Sequence, residues 1–175
     1  MEPTQSALIV AVPEAEPAVG ALRSRYDKYA SWGVPAHVTI LYPFLPPTEI
    51  DASVLAAVRA TVSTVPRFDL ALTRTDWFGD QVVWLAPEPD RPFRALTAAL
   101  WARFPQSPPY GGEFDDVVPH LTVAHDQPPA VLRDVAAQVA ASLPIQAPVH
   151  RVRLIAGRPE PGDPWHTLAE FPLGR

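Results

Sequence analysis

Apolar residues along this chain recur with two periods, and the alternation between them predicts the order of its elements. Residues 6–12 (SALIVAV) form a short, continuous apolar run that reads as a buried strand. Over 15–31 the spacing changes: Val19, Leu22, Tyr26 and Tyr29 fall on one stripe behind an acidic start, which predicts a helix. Residues 36–42 return to a strand pattern. Thr48 then offers an N-cap with Asp51 three residues on, and Ile50, Val54, Val58 and Val62 recur at i+4 as a helix face. Residues 67–75 and 81–86 read as two strands joined by a turn at Gly79-Asp80. Asp90 caps a helix whose stripe is Phe93, Leu96 and Leu100. A long loop over 104–118, rich in Pro, Gly, aromatic and acidic residues, has the composition of a substrate-side loop. A strand at 119–125, a helix carrying Val131, Val135 and Val139, and strands near 149–156 and 165–172 complete the chain. The predicted order is β-α-β-α-β-β followed by α-β-α-β-β. That order suggests a degenerate internal duplication and an α+β fold in which two pseudo-symmetric lobes pack helices outside antiparallel sheets.

The strands at 36–42 and 119–125 carry the same tripeptide pattern, His37-Val38-Thr39 and His120-Leu121-Thr122. Alternate residues of a strand share a face, so each strand offers one imidazole and one hydroxyl on one side and aliphatic residues on the other. Two imidazoles provide a general acid and a general base, because the ordinary His pKa of about 6.5 allows one ring to be neutral and the other charged near neutral pH. Two hydroxyls provide hydrogen bonds to oxygens on which negative charge concentrates. Lobes related by pseudo-symmetry would set the two strands side by side across a groove. The combination is suited to holding and cleaving a phosphodiester without a metal.

Composition narrows the partners. With 175 residues and 47% hydrophobic content the chain can bury one core, and 1–175 reads as a single bilobal domain. No run of 18 apolar residues suggests a membrane span, and the N-terminal apolar stretch lacks a basic flank, so it reads as a first strand rather than a leader. The absence of Cys excludes disulfides and thiolate chemistry and fits the cytoplasm. The net charge is −5 and Lys28 is the sole lysine, a poor endowment for binding long nucleic acid. A small nucleotide or an RNA end, bound by a monomer, fits better. The 23 Pro residues punctuate the periodic segments and read as rigid loop ends.

HVTILYPF at 37–44 and HLTVA at 120–124 resemble the two signatures of the 2H phosphoesterase superfamily, named for its paired His-x-Thr/Ser motifs, and most closely its 2'-5' RNA ligase-like branch. The resemblance extends over nearly the whole chain. It implies a bilobal α+β fold with a central groove. It also implies cleavage or formation of 2'-linked phosphodiesters, often 2',3'-cyclic phosphates, with no cofactor. By position, His37 and Thr39 take the roles of the first motif, and His120 and Thr122 those of the second.

Other residues offer less specific chemistry. Tyr42, Phe44, Tyr110 and Trp165 lie where they could stack on a base, or else pack in the core or at the rim. Arg151 and Arg153 share a strand face that either lines the groove or meets solvent. Arg74 with Asp76 reads as a surface ion pair. His120, His125 and Asp126 invite a metal site, but five positions on a continuous strand put the two imidazoles on opposite faces. Asp115-Asp116 reads as a loop cap, and His166-Thr167 lacks the intervening residue of the motif. Three functions remain to be weighed beside cyclic phosphodiester hydrolysis: ATP-independent 2'-5' ligation by the same site, a binding module without turnover, and a two-His metal hydrolase.

Overall fold

The computed structural model describes residues 1–175. Two four-stranded antiparallel sheets carry five helices. The elements in chain order are β1 (Gln5–Ala11), α1 (Glu16–Tyr26), α2 (Lys28–Ser31), β2 (His37–Leu41), α3 (Ala52–Val62), β3 (Phe68–Phe78), β4 (Val82–Glu88), α4 (Arg91–Arg103), β5 (Leu121–His125), α5 (Pro129–Ala140), β6 (Ile145–Val149), β7 (Arg151–Gly157) and β8 (His166–Pro172). The strand order is β2-β1-β7-β8 in one sheet and β5-β4-β3-β6 in the other. The first sheet therefore joins the two ends of the chain, and the second is built from its middle.

One unit occurs twice. β1-α1-β2 and β4-α4-β5 each run strand, helix, strand, with the two strands paired antiparallel and the second at the sheet edge. The edge strands β2 and β5 meet across the junction of the sheets. The helical stripes lie where their periodicity places them: Val19, Val58, Val62, Phe93, Leu96, Leu100, Val135 and Val139 are all buried, in one 35-residue core that also takes residues from both sheets. A smaller cluster, Ala7, Ile9, Val34, Ile155 and Trp165, covers the other face of the first sheet. β1 sends Leu8 and Val10 into the large core and Ala7 and Ile9 into the small one, which is why its sequence is a continuous apolar run instead of an alternating one.

The structure corrects three boundaries. The helix expected over 15–31 is broken at Asp27, whose backbone is extended (φ −124°, ψ 109°) and whose carboxylate caps α2 by accepting from the Tyr29 N–H at 3.1 Å. α3 is capped by Asp51, which accepts from the Val54 N–H at 2.9 Å, and not by Thr48, which lies in the 3-10 turn Pro47–Glu49. β6 went unpredicted because Pro148 falls inside it. As the outermost strand of its sheet it tolerates a residue with no N–H to donate.

Candidate active site

His37 opens β2 and His120 immediately precedes β5, and the two rings are held alike. The Nδ1 of His37 lies 2.7 Å from the Pro35 carbonyl, and the Nδ1 of His120 lies 2.7 Å from the Val118 carbonyl. A carbonyl only accepts, so each Nδ1 carries hydrogen and each neutral ring keeps its bare nitrogen, Nε2, for chemistry. Thr39 and Thr122 follow two residues later on the same strand faces. All four side chains line one cavity of about 230 Å³.

The first sheet supplies the aliphatic wall of this cavity through Ala7, Ile9 and Ile155. Aromatic rings supply most of the rest: Tyr29 and Trp32 from α2 and its C-terminal turn, Tyr42 just after β2, Tyr110 from the long loop, and Trp165 immediately before β8. Three of these are fixed by specific contacts. Tyr42 donates its hydroxyl to Gln5 at 2.8 Å. Tyr110 adopts a left-handed backbone (φ 50°, ψ 36°) and donates its N–H to the Tyr42 carbonyl at 2.6 Å. Strain of this kind in a non-glycine residue persists only where the surroundings fix it. The Trp165 indole donates to the Arg158 carbonyl at 2.9 Å and lies so close over Gly157 that a Cβ there would come within 2.3 Å of the ring. His120 is braced from behind by Phe78, edge-on at 4.9 Å, and by Trp84 at 5.9 Å.

Electrostatics favour neutral rings. Burial lowers the pKa of His37 to about 4; the nearby Arg23 acts in the same sense, while the Pro35 carbonyl and Asp27 oppose it. Burial also lowers that of His120, against the Val118 carbonyl. Burial pushes the Tyr110 hydroxyl up to about 12, so it remains a neutral donor.

One lining residue, Asp27, belongs to a buried charged relay that sequence reading did not find. Arg23 and Asp27, 2% and 3% exposed, are paired at 3.1 Å, and Arg23 also donates to the Val34 carbonyl at 3.1 Å. The other carboxylate oxygen of Asp27 lies 3.3 Å from Nε2 of His125, whose Nδ1 meets Asp126 at 2.8 Å. Burial raises the Asp27 pKa, but the His125 hydrogen bond, the Arg23 charge and the Tyr29 N–H together hold it below the ordinary carboxylate value. The hydrogen bond to Asp27 in turn raises the pKa of His125 against the effect of burial. His125 reaches Asp27 because β5 bulges: Thr122 pairs with Trp84 and Ala124 with Val83, which leaves Val123 as an extra residue. The regular alternation that would set His125 on the face opposite His120 is broken at that point.

Of the residues singled out in the sequence, His37, Thr39, His120, Thr122, Tyr42, Tyr110 and Trp165 converge on this cavity. Arg153 does not: it lies 3.3 Å from Glu170, beside the Arg151–Glu170 pair at 2.8 Å, on the same sheet face as Ile9 and Ile155 but beyond the residues that line the cavity. Phe44 is a core residue, edge-on to Phe104 at 5.1 Å. Arg74 forms surface pairs with Asp76 and Glu88 at 3.6 and 3.4 Å. Asp116 pairs with Arg94 at 2.8 Å. No group of three or more His, Cys, Asp or Glu side chains lies close enough together to hold a metal ion, and no helix is long and apolar enough to cross a membrane.

Comparison with known proteins gives a consistent result. The family described as the 2'-5' RNA ligase superfamily matches residues 11–159. No curated protein sequence matches the chain. Among solved structures, TT0787 of Thermus thermophilus aligns with a TM-score of 0.68 at 21% identity, covering 96% of this chain and 97% of its own. E. coli LigT complexed with 3'-AMP aligns with a TM-score of 0.62 at 19% identity, over 99% and 100% of the two chains. E. coli LigT complexed with phosphate aligns with a TM-score of 0.60 at 21% identity, over 100% of both chains. At these identities the likeness is one of fold.

Proposed function

Because the chain belongs to the 2'-5' RNA ligase superfamily, we propose that its cavity is the active site of a phosphoesterase acting on 2'-linked or 2',3'-cyclic phosphodiesters of nucleotides or RNA ends, with His37, Thr39, His120 and Thr122 as its catalytic residues. The observation that carries this reading is the paired construction of the site. Two imidazoles, each anchored through Nδ1 to a carbonyl two residues back, share one cavity with two threonine hydroxyls. A binding pocket has no need of a matched acid and base. The E. coli LigT structures that share the fold hold phosphate, 3'-AMP, ATP and NADP+, which supports a small nucleotide ligand.

For a cyclic phosphate the steps are as follows. The neutral imidazole of His37 takes a proton from water through Nε2 as the water oxygen bonds to phosphorus. The bond from phosphorus to the leaving ribose oxygen breaks, and the protonated His120 gives that oxygen its proton. Thr39 and Thr122 donate to the non-bridging oxygens as charge builds there. His37 is the base because its low pKa keeps it neutral. One turnover leaves His37 protonated and His120 neutral, and exchange with solvent restores the pair. With a ribose 5'-hydroxyl in place of water, the same groups form a phosphodiester, which is 2'-5' ligation without ATP.

The test is a panel of 2',3'-cyclic nucleotides and 2'-5'-linked dinucleotides assayed in EDTA, with the His37→Ala/His120→Ala protein as control. Turnover that survives EDTA and disappears in the double variant is the expected result. Activity lost to EDTA points to a metal hydrolase instead. A folded protein that turns over nothing in the panel but binds its members is a binding module.

A further inference from the structure

The cavity that we read as a phosphodiester site is lined by no lysine and no arginine. Three cations adjoin it, and all are engaged elsewhere. Arg153, cross-strand from Ile9 on the face that forms the aliphatic wall, lies 3.3 Å from Glu170. Arg23, beneath the wall, is paired with Asp27 and bonded to the Val34 carbonyl. Lys28 packs against Tyr29 and Trp32, its ammonium 5.4 and 5.7 Å from their ring centroids. None of the three takes part in the lining. The charged and titratable groups around the two catalytic rings are therefore few: Arg23 and Asp27 from α1 and its end, Tyr29 from α2, Tyr42 after β2, Tyr110 from the long loop, His125 on β5 and, farther along the sheet face, Arg153 of β7 with its partner Glu170 of β8. Arg23 and Asp27 cancel. The tyrosines stay neutral, since burial raises each of them. His125 is turned to Asp27 and Asp126.

The empty cavity thus carries no net charge near neutral pH, once both catalytic rings are neutral and Asp27 is balanced by Arg23. An anion entering it loses solvent and meets neutral donors and one carboxylate, Asp27, whose charge Arg23 balances from beneath the wall; a buried charge without a partner is costly. One remedy is available at the site: an imidazole can take a proton. That supplies one positive charge. A second would set two imidazolium ions across the same small cavity, and His120 already disfavours the charged form of His37. The volume, about 230 Å³, lies below the common range for small-molecule pockets of about 300–1,000 Å³, and the walls are aromatic planes suited to one base.

We propose that this groove selects a phosphodiester of single-nucleotide size bearing one negative charge, neutralises it with one proton taken from solvent, and disfavours the doubly charged monoester that hydrolysis leaves behind. The inference rests on the phosphoesterase reading above and adds a charge rule to it. The proton taken up on binding is the one that His120 later donates, so binding loads the acid. Rejection of the dianion would assist product release.

The test is calorimetry at pH 7.5 on the intact chain. The ligand is the 2',3'-cyclic phosphonate of whichever nucleoside gives the fastest cyclic phosphate in the panel, with a methylene in place of one ester oxygen so that it resists hydrolysis. Titrations in two buffers of different ionisation enthalpy count the protons exchanged. The expected result is uptake of about one proton per ligand and at least about tenfold weaker binding of the matching 2'-monophosphate, which is mostly dianionic at this pH. The Lys28→Gln protein should show the same ratio. Proton-free binding, a monoester bound as tightly as the phosphonate, or a ratio that collapses in Lys28→Gln would each overturn the charge rule while leaving the phosphoesterase reading intact. Absence of turnover across the panel would overturn both.

Discussion

At the scale of single residues, the depressed pKa values of His37 and His120 make a kinetic prediction from the roles proposed for them. With His37 as the proposed base and His120 as the proposed acid, the free protein is competent when His37 is neutral and His120 is protonated. The first condition holds above about 4. The second holds below a value that burial has moved down from the ordinary 6.5. The profile of kcat/KM, which reports the free enzyme, should therefore be a bell with its maximum on the acid side of pH 6.5, falling about tenfold per pH unit well above it. The kcat profile should peak at higher pH, because a bound anion favours the imidazolium. Measuring both profiles on one substrate checks this; a kcat/KM maximum at or above pH 7.5 would contradict it. The same burial couples to stability. A base whose folded pKa lies below its unfolded one binds protons more strongly when unfolded, so it destabilises the fold as pH drops from 6.5 towards 4. For His37 the difference amounts to roughly 3 kcal/mol. Denaturant melts of His37→Asn at pH 7 and pH 4.5 should show a smaller loss on acidification than the unsubstituted chain.

At the scale of elements, the aromatic wall depends on a glycine rather than on another aromatic. A Cβ on Gly157 would overlap the Trp165 ring at 2.3 Å, and because the contact involves the body of the indole, the ring must leave. Gly157→Ala is expected to raise KM for a cyclic nucleotide several-fold, with a smaller change in kcat and a change in tryptophan fluorescence. Unaltered KM and fluorescence would show that Trp165 is not part of the binding wall. This dependence was not legible in the sequence, where Gly157 ends an apolar run like any other. What was legible follows from strand periodicity: His and Thr two residues apart share a face regardless of the rest of the fold, so His37 could be placed with Thr39 and His120 with Thr122, while bringing the two pairs to one groove took the repeated element order and the family resemblance. Local patterns misled where a single residue departs from the repeat. Asp27 interrupts a helical stripe, and the bulge at Val123 shifts His125 out of its expected alternation. Pro148 hides an edge strand that only the sheet order explains. The Arg23–Asp27–His125 relay joins α1 to β5, and no spacing in the sequence announces so distant a pairing.

At the scale of the whole molecule, the two sheets are bound together more closely than two lobes flanking a groove would suggest. The chain leaves the first sheet after β2, builds all of the second, and returns to complete the first with β7 and β8. The main core does not divide along the same line: Leu8 and Val10 of the first sheet and Leu85 and Leu121 of the second belong to one buried cluster. Thr97 on α4, which follows the second sheet's β4, donates to the Ile40 carbonyl of β2 at 2.7 Å. Such a molecule should unfold as a unit, because neither sheet retains its apolar face when the other opens. Leu85→Ala offers the test. Leu85 is fully buried in β4, on the second sheet, and its truncation is expected to cost about 2–5 kcal/mol. Trp165 immediately precedes β8 and packs against Ala7, Ile9 and Ile155 of the first sheet. If the molecule is cooperative, urea melts of Leu85→Ala followed by Trp165 fluorescence, in a background with the other tryptophans replaced by phenylalanine, will shift to the same lower midpoint as melts followed by far-ultraviolet circular dichroism. A Trp165 midpoint that stays at its value in the matching Leu85 protein, while the dichroism transition divides into two, would mean that the sheets fold separately. The groove would then be a hinge between two bodies and not a cleft within one.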